Sequence, residues 1–481
     1  MKDVKNKVFS GVFWRLGERF SAQLVTFIVS VILARLLDPD DYGTISLVLI
    51  ITNLLQVFID SGFGNALIQK KDADDSDFVT VFVFNNFACI IIYALLFGLS
   101  PFIADFYNIQ SLTNIIRVSG TVLLISGVKN TIHAYVSKKM LFKKFFITTI
   151  FGTALSGIVA VIMAYRGFGV WAIVAQQLIN PTVDTVLLWI VVKWRPKGKF
   201  DFVKLKNLFS FGWKLLIRDL LNQLFQSFRG LVIGKWYTTI DLAYYDNGKK
   251  LPNTLYSNVD SAIRSVIFPV FASEQNDIKT VKRHMLKMAN ICSYVTFPLM
   301  FGMAACGKQI ISLLWTDKWL PAVPFLQITC FIWSLNSIQA LNQQVMLALG
   351  RSDKCLKAEM IIKVVEFFSI IISVRFGVLA IALSNLVACV ISLFINLWPN
   401  RYLIDCSIIE QFGACYKELL LGLSMAAIVW VMGRISINTA VLLPIQVTVG
   451  AMIYLVGSIL LHLEGYILIR DILIKKVVMR K

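Results

Sequence analysis

The stretch VFSGVFWRLGERFSAQLVTFIVSVILARL, Val8 to Leu36, decides the fold class. It is long and apolar enough to cross a bilayer, yet it carries charge in its first half. Arg15, Glu18, Arg19 and Ala22 stand at i, i+3, i+4 and i+7 and share one helix face. With the hydrocarbon starting near Phe9, Arg15 lies ~9 Å and Arg19 ~15 Å deep at 1.5 Å per residue. The second depth is close to the midplane of a ~30 Å core. A charge there costs roughly 2.5–3.5 kcal/mol on insertion scales. Two readings stand. The charges face a protein-lined, watery cavity; or Arg15 snorkels to the cytoplasmic surface and Glu18 serves Arg19 as an ion-pair partner.

Working outward, the same character continues through the chain. Of 481 residues, 57% are hydrophobic and 16% charged, and the mean hydropathy is +0.72. Soluble domains hold about 25% charged residues, so this composition belongs to the membrane class. Apolar runs of about 20 residues fall near 9–36, 43–64, 78–101, 112–134, 146–165, 168–192, 211–236, 243–271, 285–305, 321–348, 358–375, 377–398, 416–434 and 441–463. These predict about 14 transmembrane helices. The eighth is the weakest, since Asp246, Lys249, Lys250, Asp260 and Arg264 all fall within it. The basic n-region before the first run lacks a cleavage site, so that run reads as an uncleaved anchor.

A net charge of +19 would suggest nucleic acid in a soluble chain. Here the basic residues cluster between apolar runs, at Lys138–Lys144, Lys193–Lys206, Lys279–Lys287, Arg351–Lys357 and the tail from Arg470. The alternate loops hold few, chiefly Arg166, Lys308, Lys318, Arg375 and Arg434. The positive-inside rule accounts for this and puts both termini in the cytoplasm of a cytoplasmic-membrane protein, with no nucleic-acid partner.

An internal repeat divides the chain. At an offset of 200 residues Phe9-Ser10 meets Phe209-Ser210, Asp41 meets Asp241 and Asp60-Ser61 meets Asp260-Ser261. RGFGVWAIVAQQ (Arg166 to Gln177) meets RFGVLAIALSN (Arg375 to Asn385) at a slightly larger offset. An even number of spans makes the halves parallel repeats. The predicted domains are residues 1–195, a six-helix lobe; 196–400, a second six-helix lobe; and 401–481, two further helices and a basic tail.

Charge inside the spans concentrates at the start of each half. The substrate-binding candidates are Arg15, Glu18, Arg19, Arg218, Asp219, Lys249, Lys250 and Arg264. The repeat offset sets Glu18 against Arg218 and Arg19 against Asp219. Cations exceed anions at the deeper positions, which favours an anionic group such as phosphate. A central cavity at the repeat interface is the expected site. Asp60 and Asp260 also read as caps or ion-pair partners, one of Lys249 and Lys250 as a partner of Asp246, Arg229 and Lys235 as outward snorkels, and Lys363 with Glu366 as a local pair. Buried amides, among them Gln23, Asn85, Asn253, Asn336 and Gln339, read as interhelical glue or as sugar-binding groups, and Trp14, Trp171, Trp213 and Trp333 as sugar-stacking rings or as core.

Chemistry of other kinds is poorly supported. Three distant histidines (His133, His284, His462) suggest no metal site. The eight cysteines form no CxxC pair and read as small core residues. No phosphate-binding GxxxxGK[ST] loop and no nucleophile elbow is present, so neither an ATPase, an enzyme nor a cofactor is expected. A membrane polymerase or ligase would need a larger extracytoplasmic loop than any here, and a pure scaffold would leave the intramembrane charges without a purpose.

Five segments carry a family resemblance: ARLLDPDDYG (Ala34 to Gly43), DSGFGNALIQKKD (Asp60 to Asp72), VIFPVFASEQND (Val266 to Asp277), LLWTDKWLPAVPFLQI (Leu313 to Ile328) and LALGRSD (Leu347 to Asp353). They resemble the polysaccharide-transporter family, the Wzx-type flippases of the multidrug/oligosaccharidyl-lipid/polysaccharide (MOP) exporter superfamily, and most nearly its colanic- and teichuronic-acid export branch. The resemblance implies an all-α polytopic V-shaped bundle of two six-helix parallel repeats plus two C-terminal helices. It implies alternating access that moves undecaprenyl-pyrophosphate-linked repeat units from the inner to the outer leaflet. The partners implied are the lipid-linked oligosaccharide, the bilayer and, as candidates, polysaccharide polymerase and export machinery, with the chain acting as a monomer. In related flippases cavity arginines in the first, second and eighth spans receive the pyrophosphate. The positions that fit by span are Arg15 or Arg19 and Lys249, Lys250 or Arg264; the second span here has no deep arginine. A multidrug or organic-cation antiporter of the same fold is the alternative, and it predicts a cavity of net negative charge.

Overall fold

The computed structural model describes residues 2–60, 63–70, 72–274, 277–468 and 470. The described residues form α-helices joined by short loops, with no strand among them. In chain order these are α1 (Lys2–Leu36), α2 (Pro39–Asp60), α3 (Phe63–Gln69), α4 (Asp75–Tyr107), α5 (Leu112–Lys138), α6 (Phe142–Tyr165), α7 (Val170–Val192), α8 (Phe202–Trp236) and α9 (Thr239–Ser273). There follow α10 (Ile278–Ala305), α11 (Gly307–Trp315), a 3₁₀ turn (Asp317–Ala322), α12 (Val323–Ala348), α13 (Ser352–Ser373), α14 (Val378–Leu397), α15 (Asn400–Leu403), α16 (Ile408–Gly413), α17 (Tyr416–Met432) and α18 (Thr439–Leu460). Each of the predicted apolar runs coincides with one long helix, including the charged eighth run in α9. Nine helices among the described residues also meet a strict test of length and hydropathy for crossing a membrane. The chain is an all-α polytopic membrane protein.

Local chemistry sets the helix ends. Asp74 opens α4 with a capping box: its carboxylate accepts from the Asp77 amide while Asp77 answers the Asp74 amide. Lys204 reaches Asp74 at 2.6 Å. That hydrogen bond, helped by the Asp77 amide, holds the Asp74 carboxyl down at about 2. Asn108 closes α4 in the left-handed conformation (φ 58°), which asparagine tolerates better than most residues. Asp201 caps α8 through the Val203 and Lys204 amides.

Chain contacts divide the molecule into two compact units, Met1–Ala243 and Tyr244–Lys481. In the first, α1 packs on α6, α6 on α7, α4 on α5, and α2 on both α5 and α8. The first helix of the second sequence repeat, α8, thus belongs by contact with the first unit. Its approach to α2 uses small residues: a Cβ on Gly234 would meet Leu47 at 2.3 Å. At Gly43 the backbones themselves meet, for a Cβ there would lie 1.8 Å from the Thr239 carbonyl oxygen. A buried core of this unit includes Phe63, Phe78, Phe145 and Trp194. Tyr135 stacks on Trp194 at 5.1 Å.

In the second unit α10 packs on α12 and α17, α12 on α14, α13 on α14, and α17 on α18. Phe271, Phe297, Phe301, Leu341, Val345 and Leu393 fill its main core. Buried amides tie α12 to the α14–α15 segment: Asn396 donates to Gln339 at 3.2 Å and Asn400 to Asn342 at 2.6 Å. These are the interhelical bonds that buried amides supply in membrane helices. All eight cysteines are free and buried.

Candidate functional site

Arg15 and Glu18, one turn apart on α1, form an ion pair at 2.7 Å. The Arg15 guanidinium also lies 5.3 Å from the Phe145 ring centre, and Thr149 of α6 donates to Glu18 at 3.4 Å. The alternative reading of the sequence paired Glu18 with Arg19; the structure corrects it. The i, i+3 geometry and the α6 side chains draw Glu18 to Arg15 instead. Arg19 is exposed and makes no ion pair or hydrogen bond among the described residues. Two arginines on one face are thereby separated into one compensated and one open.

The same sorting recurs elsewhere. On α8, Arg218 is bound to its neighbour Asp219 at 2.7 Å. Further along, the Arg229 Nε and Nη2 atoms are buried without a hydrogen-bond partner, which corrects the snorkelling expectation for that residue. Lys235, by contrast, sits 4.1 Å from the Phe106 ring centre and donates to the Phe106 carbonyl at the end of α4. In the second unit, Lys249 pairs with Asp246 at 3.2 Å and lies over Tyr245 at 3.9 Å. Lys250 has no ion pair or hydrogen bond among the described residues. The Arg264 side chain lies outside the described residues. Asp60 accepts hydrogen bonds from Gln56 and Asn130, at 3.1 and 2.6 Å. Lys363 and Glu366 form their local pair at 3.0 Å.

Two features escaped the sequence reading. One is a buried ion cluster inside the first unit. Asp184 of α7, almost without exposure, pairs with Lys129 of α5 at 2.8 Å, and His133 approaches it at 3.5 Å. Residues 129 and 133 are i, i+4 on α5, a spacing visible in the sequence, but nothing there reveals their partner on α7. The other is a cavity of about 390 Å³ between α9 and α12, lined by residues that include Asn253, Tyr256, Asp260, Trp333, Asn336 and Gln343. No group of histidine, cysteine and carboxylate side chains able to hold a metal occurs among the described residues.

Long apolar helices with charge set inside them define an all-α polytopic membrane protein, and solved structures share the fold. It is similar to the lipid II flippase MurJ in an inward closed conformation, with a TM-score of 0.74 and 15% identity over 96% of this chain and 100% of that one. It is also similar to an inward-facing multidrug resistance MATE family transporter of the MOP superfamily, with a TM-score of 0.59 and 13% identity over 80% and 96% of the two chains. Residues 32–324 match the polysaccharide biosynthesis protein family, and the chain belongs to that family. Among curated relatives, the teichuronic acid biosynthesis protein TuaB of Bacillus subtilis (strain 168) is 24% identical over 95% of this chain and 96% of its own. The lipopolysaccharide biosynthesis protein WzxC of Escherichia coli (strain K12) is 21% identical over 73% and 72%.

Proposed function

We propose that the protein is a Wzx-type flippase that carries undecaprenyl-pyrophosphate-linked oligosaccharide repeat units across the cytoplasmic membrane, from inner to outer leaflet. Membership of the polysaccharide biosynthesis protein family supports the pathway, and the helical fold supports transport rather than catalysis. Loop charge supports a cytoplasmic location for both termini.

The observation that carries the reading is the open arginine on α1. Glu18 neutralises Arg15, so Arg19 is left as a cation whose hydrogen-bond donors have no protein partner among the described residues. A guanidinium in an apolar helix without a counter-ion is costly unless an anion visits it. A pyrophosphate suits it, because planar N–H pairs match phosphate oxygens bidentately. In the second unit Lys250 is open in the same way, while Lys249 is neutralised by Asp246. An organic-cation antiporter would want the reverse balance, with carboxylates left open.

The test is orientation of labelled lipid-linked repeat unit in inverted vesicles from a deletion strain. The wild-type chain should move glycan into the lumen. Arg19→Ala should lower that transport at least about tenfold, the loss of one charge-assisted contact, with the protein still in the membrane. Arg15→Ala should cost less, since it removes a residue already paired. Full transport by the Arg15→Ala, Arg19→Ala double variant would overturn the assignment. Cationic-dye efflux in place of glycan movement would overturn the function.

A further inference from the structure

We infer that the cavity between α9 and α12 is a glycan-reading pocket, which takes an uncharged pyranose unit of the substrate and so contributes to choice of sugar. The inference rests on the flippase reading and names a part of the substrate that the open arginines do not address.

Both helices turn a single face to this cavity. On α9 the lining residues are Asn253, Tyr256, Ser257 and Asp260, at i, i+3, i+4 and i+7; on α12 they are Trp333, Asn336, Gln339, Ala340 and Gln343, at i, i+3, i+6, i+7 and i+10. The volume of about 390 Å³ falls in the range of small-ligand sites.

Its chemistry does not favour the pyrophosphate. No lysine or arginine is among the described residues that line it, and Asp260 contributes a carboxylate. What it offers is amide edges and a ring face, with hydrogen-bonding capacity left over. Trp333 Nε1 donates to Asn253 Oδ1 at 2.5 Å, which leaves the Asn253 amino group to donate elsewhere. Gln343 spends its amino group on Asn396 at 3.4 Å and keeps its carbonyl oxygen. Asn336 makes no hydrogen bond among the described residues. Donors and acceptors mixed at one site fit hydroxyl groups, each of which both gives and accepts. Amides without partners inside a membrane helix are otherwise a net cost.

The ring platform is fixed in place. Trp333 stacks on Tyr256 with centroids 4.3 Å apart and planes 18° from parallel, and the bond to Asn253 sets its rotation. Tyr256 is buried, and its hydroxyl reaches Asp260 at 3.4 Å. Gln339, also in the lining, is held by Asn396 and Cys389. An indole held rigidly beside free amides matches the apolar C–H face and polar rim of a sugar ring. An aromatic pair near a carboxylate also suits an organic cation. Here the amides outnumber the single carboxylate, which already accepts from Tyr256.

The experiment uses the full chain in nanodiscs. Chitobiose, maltotriose and lactose are titrated by saturation-transfer NMR beside tetraphenylphosphonium, and inorganic pyrophosphate is followed by the broadening of its 31P signal. At least one saccharide should bind. Trp333→Ala should weaken it about tenfold and Trp333→Phe less, since a stacking ring is kept. Asn336→Leu should cost about threefold to tenfold, and none of the three should change the pyrophosphate signal. The proposal fails if no saccharide binds the wild type, if Trp333→Phe and Asn336→Leu bind like the wild type, or if tetraphenylphosphonium is the ligand whose binding needs Trp333. Transport in inverted vesicles separates the two readings. Wild-type transport that survives the pocket variants undamaged refutes the pocket and leaves the flippase standing. Absent wild-type transport refutes the flippase, while the saccharide titration still judges the pocket.

Discussion

Removing Lys129 should destabilise the first unit far more than its place on a polar helix face would suggest, and removing its partner as well should restore most of the loss. Asp184 is nearly inaccessible, and its charge is answered by Lys129 at 2.8 Å with His133 at 3.5 Å. Lys129→Met keeps the length and apolar stem of the side chain but strands the carboxylate. Breaking a buried pair in this way costs about 3–5 kcal/mol, because the remaining charge has lost its compensation. The unit spans Met1–Ala243. For domains near that size, 1 kcal/mol shifts the midpoint by about 2–4 °C, so a loss of about 3 kcal/mol lowers it by roughly 6–12 °C. The unit supplies its own reporter in Cys89, which is free and buried. A thiol-reactive fluorophore should therefore stay dark until unfolding, and the detergent-solubilised protein can be heated in its presence. In Lys129→Met, Asp184→Leu neither charge remains, and buried pairs replaced by apolar residues are commonly neutral in stability. The double variant should unfold within about 1 kcal/mol of wild type, a coupling read directly from the double-mutant cycle. A single variant as stable as the wild type would refute the reasoning. So would a double variant no better than the single one, since the loss would then come from packing and not from a stranded charge.

Two further outcomes follow from local geometry. Gly43→Ala should abolish accumulation of folded protein, because its Cβ would lie 1.8 Å from the Thr239 carbonyl oxygen, whereas Gly17→Ala meets only Phe146 at 3.5 Å and should raise the unfolding midpoint through the ~1 kcal/mol helix preference of alanine; membrane yield and the thiol assay decide both. The Asp74 carboxyl is held down to about 2 by Lys204 and the Asp77 amide, so its stabilisation is complete above about pH 4 and disappears as pH falls through 2. Lys204→Met should lower the midpoint at pH 5 only slightly, as befits an exposed pair, and the difference from wild type should vanish towards pH 2.

How much of this was legible in the sequence depends on whether the deciding partner is near in the chain. Helix positions were readable throughout, since apolar runs of bilayer length have few alternatives; even the charged run over Asp246–Arg264 is helix, within α9. Pairs within one turn were readable too, as Lys363 with Glu366 and Lys249 with Asp246 demonstrate. Choice between two partners on one face was not. Glu18 lies one residue from Arg19 and three from Arg15, and it is the side chains of α6 that settle the matter. The segments carrying the family resemblance likewise turn out to hold structural chemistry: Gly43 admits the Thr239 backbone, and Asp40 accepts from the Thr239 hydroxyl.

That division bears on which charges deserve a functional reading. A charged residue in an apolar helix has three ways to exist: with a local partner, with a partner on another helix, or with something that comes and goes. Arg15, Arg218 and Lys249 take the first way, and Asp184 with Lys129 the second. Arg19, Arg229 and Lys250 take neither among the described residues. Sequence depth alone ranked Arg15, Arg19, Arg218, Lys249 and Lys250 together, and by that measure Lys249 and Lys250 were equivalent. Subtracting the compensated charges leaves a much shorter set, in which the cations Arg19, Arg229 and Lys250 outnumber the one buried carboxylate without a partner among the described residues, Glu418. An excess of open cations over carboxylates is what the proposed visit of an anionic group requires. The cavity wall between α9 and α12, with its unspent amides, carries a carboxylate and no cation among the described residues. Pyrophosphate and sugar, the two ends of one polar headgroup, would then be met by separate chemistries in separate parts of the chain.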